Sequence, residues 1–192
     1  MTSTKVSIYN YGTSLNRGIR LLERFKNINS VSFRLDIKID FSEPDLGRFN
    51  YDPKDRVIYV NPSKCENKDF NDLLGHPADC SVYSTLVHEL SHFIDQKYKL
   101  GTEYHLKNWG LKRLIVTNYS KEDIREELAD ILTIYLTNPY YLKLIDKERY
   151  CWLKSKFKSP TPCGYQTFLK LYNRWPKKVQ DKFCTDYNIK FV

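Results

Sequence analysis

The feature that most constrains this chain is a helical stripe carrying two histidines. From Ser81 to Tyr98, the apolar residues Val82, Leu86, Leu90, Phe93 and Ile94 recur on one side of a helical wheel. His88 and His92 therefore fall on a helix, four residues apart. That spacing lifts the second imidazole about 6 Å along the axis and turns it about 40°, so both can reach one ion. The segment His88-Glu89-Leu90-Ser91-His92 is an H-E-x-x-H, a pattern suited to tetrahedral zinc (Zn²⁺). Two histidines on a half-buried helix face are also ordinary packing residues, so a third ligand decides between the readings.

A second amphipathic segment offers that ligand. Ser120 to Leu136 carries Ile124, Leu128, Ile131, Leu132 and Tyr135 at helical spacing, opens on a capping-box-like Ser120 and Asp123, and stops at Asn138-Pro139. Within it, Glu126-Glu127-Leu128-Ala129-Asp130 contains an E-x-x-x-D. Glu126 is the candidate third ligand, and Asp130, one turn on and on the same face, can accept the free N–H of a metal-bound histidine. Glu127 is the rival ligand, but it has no carboxylate four residues on and is expected to face solvent. Asp95, one turn after His92, is a second candidate to support a ligand from behind, and His76 and His105 are expected in surface loops. Three protein ligands leave a fourth position for water, as a catalytic zinc requires.

This arrangement resembles the gluzincin peptidases. Metzincins would need Gly and His where this chain has Asp95 and Tyr98. The run from Tyr119 to Asp130 is similar, more narrowly, to the anthrax lethal factor type of metallopeptidase domain, and the resemblance spans roughly residues 50–157. The chain departs from that type with Asp130 in place of Glu and Ser91 in place of Gly. The resemblance implies an α+β, zincin-like fold, with a small N-terminal sheet packed on the H-E-x-x-H helix and a mainly helical lobe after it. It also implies a zinc cofactor, a protein or peptide substrate, and a role for Tyr119, seven residues before the ligand Glu, in assisting the tetrahedral intermediate. The expected reaction is zinc-dependent peptide hydrolysis. His88, His92 and Glu126 hold the ion, which brings the pKa of a water towards about 7, and Glu89, itself no ligand, accepts the proton. An extended substrate is expected to add along Val57–Val60.

The remaining sequence reads as one domain of 192 residues in three parts: 1–80 with a helix and sheet, 81–137 with the active-site helices, and 138–192 as a basic helical subdomain. Ser14 to Phe25 has helical spacing with Ser14 as N-cap, while Val31 to Ile39 and Arg56 to Val60 read as strands. Further helices are expected at about Tyr140–Phe157, Tyr165–Arg174 and Lys177–Cys184. With 41% hydrophobic and 28% charged residues, the chain falls in the globular class, and it has no apolar run long enough to cross a membrane and no secretory leader. Five cysteines without a C-x-x-C (Cys65, Cys80, Cys151, Cys163 and Cys184) predict reduced, buried thiols in a cytoplasmic protein.

The net charge of +8 lies wholly in residues 141–192, which hold twelve basic against four acidic residues, whereas residues 1–140 hold nineteen of each. That segment is either a solvated surface or a docking face for an acidic partner. Nucleic acid ranks below protein as that partner, because there is no recognition motif. Tyr150, Trp152, Phe157, Phe168, Tyr172 and Trp175 suit core packing at least as well as base stacking. The alternative function is a zincin-fold structural or docking protein that uses its basic segment within a larger assembly.

Overall fold

A computed structural model describes residues 3–50, 56–64, 82–117, 119–175 and 177–189, excepting the side chains of residues 3–11, Tyr119 and Leu171. His76, Cys65 and Cys80 lie outside the described residues. The fold is α+β and mostly helical. Its elements are α1 (Ser3–Asn29), β1 (Asp36–Ile39), β2 (Gly47–Phe49), β3 (Val57–Val60), α2 (Val82–Tyr98), α3 (Leu100–Leu106), α4 (Ile124–Thr137), α5 (Pro139–Ile145), α6 (Lys147–Lys156), α7 (Tyr165–Tyr172) and α8 (Lys177–Asp186).

Helix α1 is longer than its apolar stripe, so Ser14 sits in the helix interior rather than at its start. It ends where Ser30 turns left-handed at φ 53°, and the Ser30 and Val31 N–H groups close back on Asn27 and Lys26, a Schellman stop. Leu21, Leu22 and Phe25 face the core, where each fully buried side chain of this kind contributes about 1.5–3 kcal/mol. Gly18 permits the close approach of α1 to α2, since a Cβ there would lie 2.4 Å from Leu86 Cδ2.

The strand expected over residues 31–39 pairs only from Asp36, because its partner β3 offers four residues, in register from Asp36↔Val57 to Ile39↔Val60. Val31, Phe33 and Leu35 keep their alternation by packing on the core instead, with the Phe33 ring 4.7 Å from that of Phe93. Strand order is β1-β3-β2, with β2 antiparallel to β3. Val57–Val60 is thus the central strand, hydrogen-bonded on both sides, and cannot receive an added substrate strand. Among the described strands, the sheet edge beside α2 belongs to β2.

Helix α2 is the centre of the molecule and packs on α4, α1 and the sheet. Ser91, Ala129 and Thr133 are fully buried at its crossing with α4, and these small residues let the two helices approach until Ser91 Oγ and Thr133 Oγ1 lie 3.1 Å apart. The start of α4 is shifted from Ser120 to Asp123, whose carboxylate accepts the N–H groups of Arg125 and Glu126 at 2.5 and 3.1 Å. Ser120 belongs to a preceding 3₁₀ turn, Tyr119–Lys121. The single helix expected over 140–157 is broken at Asp146, which ends α5 and caps α6 through the Arg149 N–H. His105 stands exposed at the end of α3, an element whose apolar spacing is too short to be read from sequence.

The thiols differ from expectation: Cys151 and Cys163 are exposed and Cys184 is half-buried. Of the six C-terminal aromatics, five are buried and Tyr172 packs at the edge of the core, which assigns them to packing. No described helix is long and apolar enough to cross a membrane.

Glu127 does not face solvent; it is fully buried. Its carboxylate accepts the Tyr104 hydroxyl at 2.5 Å, the Leu114 N–H at 3.0 Å, and the Arg113 and Arg149 guanidinium groups. Arg149, itself 4% exposed, also donates to the Tyr104 hydroxyl, Asp146 and the Lys112 carbonyl. One carboxylate therefore binds α3, the 107–123 connection, α4 and α6. Replacing Glu127 by Ala should cost about 3–5 kcal/mol in urea unfolding, since it removes the buried acceptor shared by two guanidinium groups, the Tyr104 hydroxyl and the Leu114 N–H. A loss below about 1 kcal/mol would contradict this role.

Candidate metal centre

His88 and His92 share the face of α2 turned towards the first turn of α4. The Nε2 atoms of the two histidines lie 3.1 Å apart, and Glu126 Oε2 stands 3.0 Å from the first and 3.2 Å from the second. These contacts close a triangle. Three hydrogen bonds cannot occupy it, because a carboxylate oxygen brings no proton and each Nε2 brings at most one. A single cation can satisfy all three atoms together. For metal–ligand bonds of about 2.0–2.1 Å, a tetrahedral site needs ligand separations of about 3.3 Å, close to those found here. His88, His92 and Glu126 form the metal-competent group among the described residues.

The other nitrogen of His88 fixes the ring. Asp130 Oδ1 lies 2.9 Å from Nδ1, so the carboxylate holds the proton there and leaves the Nε2 lone pair for an ion. Asp130 is buried, and its second oxygen accepts the Thr117 hydroxyl at 2.5 Å. Thr117 is in turn tied to Ser120, which accepts the Thr117 N–H at 3.1 Å. Neither Thr117 nor Ser120 carries a motif that would have marked it in the sequence as part of the site. Asp95 accepts the Gly101 N–H at 2.6 Å, which steadies the start of α3, and its carboxylate interacts electrostatically with His92. Tyr119 opens the 3₁₀ turn between Thr117 and α4, and its side chain lies outside the described residues.

Glu89 points to the sheet side of α2. It is buried, accepts a hydrogen bond from the Phe49 backbone, and packs where a Cβ on Gly47 would come within 3.1 Å of its Cγ. Burial raises its pKa, with the two histidines working against that shift. At His88, burial favours the neutral ring, but the hydrogen bonds to Asp130 and Glu126 outweigh it and bring the pKa up to about 10. Glu126 moves the other way: burial would raise it, and the His88 and His92 contacts bring it down to about 2.

No protein-family model, curated protein or solved structure matches this chain. Its chemistry is therefore argued from these side chains.

The metal-free centre is an ion pair whose pH range follows from the His88 shift. A pKa raised on folding contributes stability that is complete below the unfolded value of about 6.5 and is lost as pH rises through the folded value. Chelator-stripped protein should thus lose melting temperature between pH 7 and about 10, while metal-loaded protein, with no proton on that nitrogen, should show a smaller decline. Parallel declines would remove the His88 ion pair from the account. In elemental analysis after dialysis, Asp130→Asn should weaken metal binding by about 10–100-fold without exchanging any ligand.

Proposed function

We propose that the chain is a zinc-dependent metallopeptidase of the gluzincin type, with a zincin-like arrangement of its sheet and site helices. The observation that carries this reading is the closed triangle of His88 Nε2, His92 Nε2 and Glu126 Oε2, with Asp130 behind His88. Two imidazoles and one carboxylate are a donor set typical of catalytic zinc, and they leave one position open. A bound zinc ion would supply Lewis acidity there, polarising a carbonyl and bringing a water to a pKa of about 7.

The chain's own groups do the rest. Glu89 is the proton acceptor: it lies next to His88 in sequence, outside the donor triangle, and its burial makes it a stronger base than a surface carboxylate. The Phe49 N–H holds it against β2, so the base and this strand edge share one wall. A peptide laid along that edge would bring its backbone to Glu89 through main-chain hydrogen bonds that read no particular sequence. Tyr119, on the turn tied through Thr117 to Asp130, is the proposed donor to the carbonyl oxygen as it gains charge.

With an unfolded protein as substrate, Glu89→Gln should lower kcat by about 10²–10⁴-fold while zinc content stays at about one ion per chain. Tyr119→Phe should lower it by about 10²-fold with zinc again retained. Zinc-loaded wild-type protein that hydrolyses no unfolded substrate, with a phenotype indifferent to Glu89→Gln, would replace this reading with the docking function.

A further inference from the structure

The cations of the C-terminal segment do not stand alone. Helices α1 and α7 form two walls of a cavity of about 430 Å³ whose described lining contains no aspartate or glutamate. Arg17, Arg20 and Arg24 enter it from α1 at helical spacing, and Lys170 and Arg174 enter from α7 and the turn beyond it. None of these five is in an ion pair among the described residues, although elsewhere on the surface Lys26, Lys156, Lys177 and Lys182 each have a carboxylate. Arg17 is held in place by stacking, its guanidinium carbon 4.2 Å from the centre of the Tyr83 ring.

Five cations that line one concavity and have no carboxylate partner among the described residues repel each other, and salt screens like charges gathered in one small cavity only partly. Such an arrangement is favourable when an anion of comparable charge occupies it. Four of the five are arginines, whose planar fork pairs two donors with two oxygens of one phosphate. Thr167 also lines the cavity, the Thr161 hydroxyl being committed to the Leu136 carbonyl, and the volume falls in the range of small-molecule sites rather than of an extended polymer track. We propose that this cavity binds a small, multiply phosphorylated anion, with Arg17, Arg20 and Arg24 on one side and Lys170 and Arg174 on the other. Thr137, in the lining, is eleven residues from Glu126, about 16 Å along α4, so the site is separate from the metal centre and does not depend on the peptidase reading.

The probe is sodium tripolyphosphate, titrated into the full chain by calorimetry at constant ionic strength, with melting temperature as a second readout. Wild-type protein should bind it saturably, one per chain, and melt at a higher temperature when it is present. The double variants Arg20→Gln/Arg24→Gln and Lys170→Gln/Arg174→Gln should each bind about tenfold or more weakly. Without the probe they should melt no lower than wild type, because relieving like-charge repulsion does not cost stability. Any metal withdrawn by the probe is common to wild type and variants and leaves their difference intact. Absent or non-saturating binding by wild type, or equal binding by the variants, would overturn the proposal. So would affinity for oligothymidylate that grows with oligomer length and is not matched by tripolyphosphate, which would assign the surface to a nucleic-acid backbone.

Discussion

The buried carboxylate of Asp130 sets the geometry of the centre. A charged group taken out of water is tolerated only when its oxygens are hydrogen-bonded, and the cost of leaving them unpaired is several kcal/mol. Asp130 meets this requirement with one atom from each of two separate segments, His88 Nδ1 on α2 and the Thr117 hydroxyl on the connection before α4. The spacing of α2 and α4 therefore cannot relax without exposing a charge to an apolar interior. Ser91, Ala129 and Thr133 at the crossing make that spacing possible, because larger side chains would hold the helices too far apart for the His88–Asp130 bond. Ser91 is consistent with this packing: its hydroxyl donates to the Val87 carbonyl and adds little bulk.

Glu126 and Glu127 illustrate how a single residue step along a helix separates two identical side chains. A rotation of about 100° places Glu126 against the imidazoles and Glu127 against the guanidinium groups of Arg113 and Arg149. The two carboxylates are both paired with cationic or proton-bearing partners, on different faces of α4. The first turn of that helix is consequently fixed in rotation as well as in position. The Glu126 oxygen is thereby held towards the imidazoles with little rotational freedom left to lose. Asp123 completes the arrangement by closing the N–H groups of the same turn.

What could be read from the sequence follows the length of each apolar pattern. Helices α2 and α4 each bury a stripe over several turns, so their existence and the facing of His88, His92 and Glu126 were legible. Helix α3 buries only Leu100 and Tyr104, and β2 is three residues long, so neither leaves a period to detect. The missing β2 had a consequence: without it Val57–Val60 looked like an edge strand, when it is the central one. The burial of Glu127 was illegible for a different reason. Its partners Tyr104, Arg113 and Arg149 lie between 14 and 23 residues away, and only the tertiary fold brings them together. Thr117 is hidden in the same way, as a loop hydroxyl whose importance comes from the carboxylate it touches.

Charge counted along the chain misleads for a related reason. Residues 1–140 are neutral in sum, yet several of their acids are withdrawn from the surface. Glu43, Glu89, Glu127 and Asp130 are buried, and Glu126 is turned to the imidazoles. Arginines from the same stretch, Arg17, Arg20 and Arg24, remain exposed on α1. Folding therefore adds an N-terminal basic face to the C-terminal one, and the two meet across the α1–α7 cavity. The local potential there is set by which charges stay in contact with solvent rather than by the segment totals, and that selection is made by the burial of the His88–Asp130 cluster and the Glu127 network. Placing the carboxylates inside to hold α4 and placing the cations outside without partners are two results of the same packing.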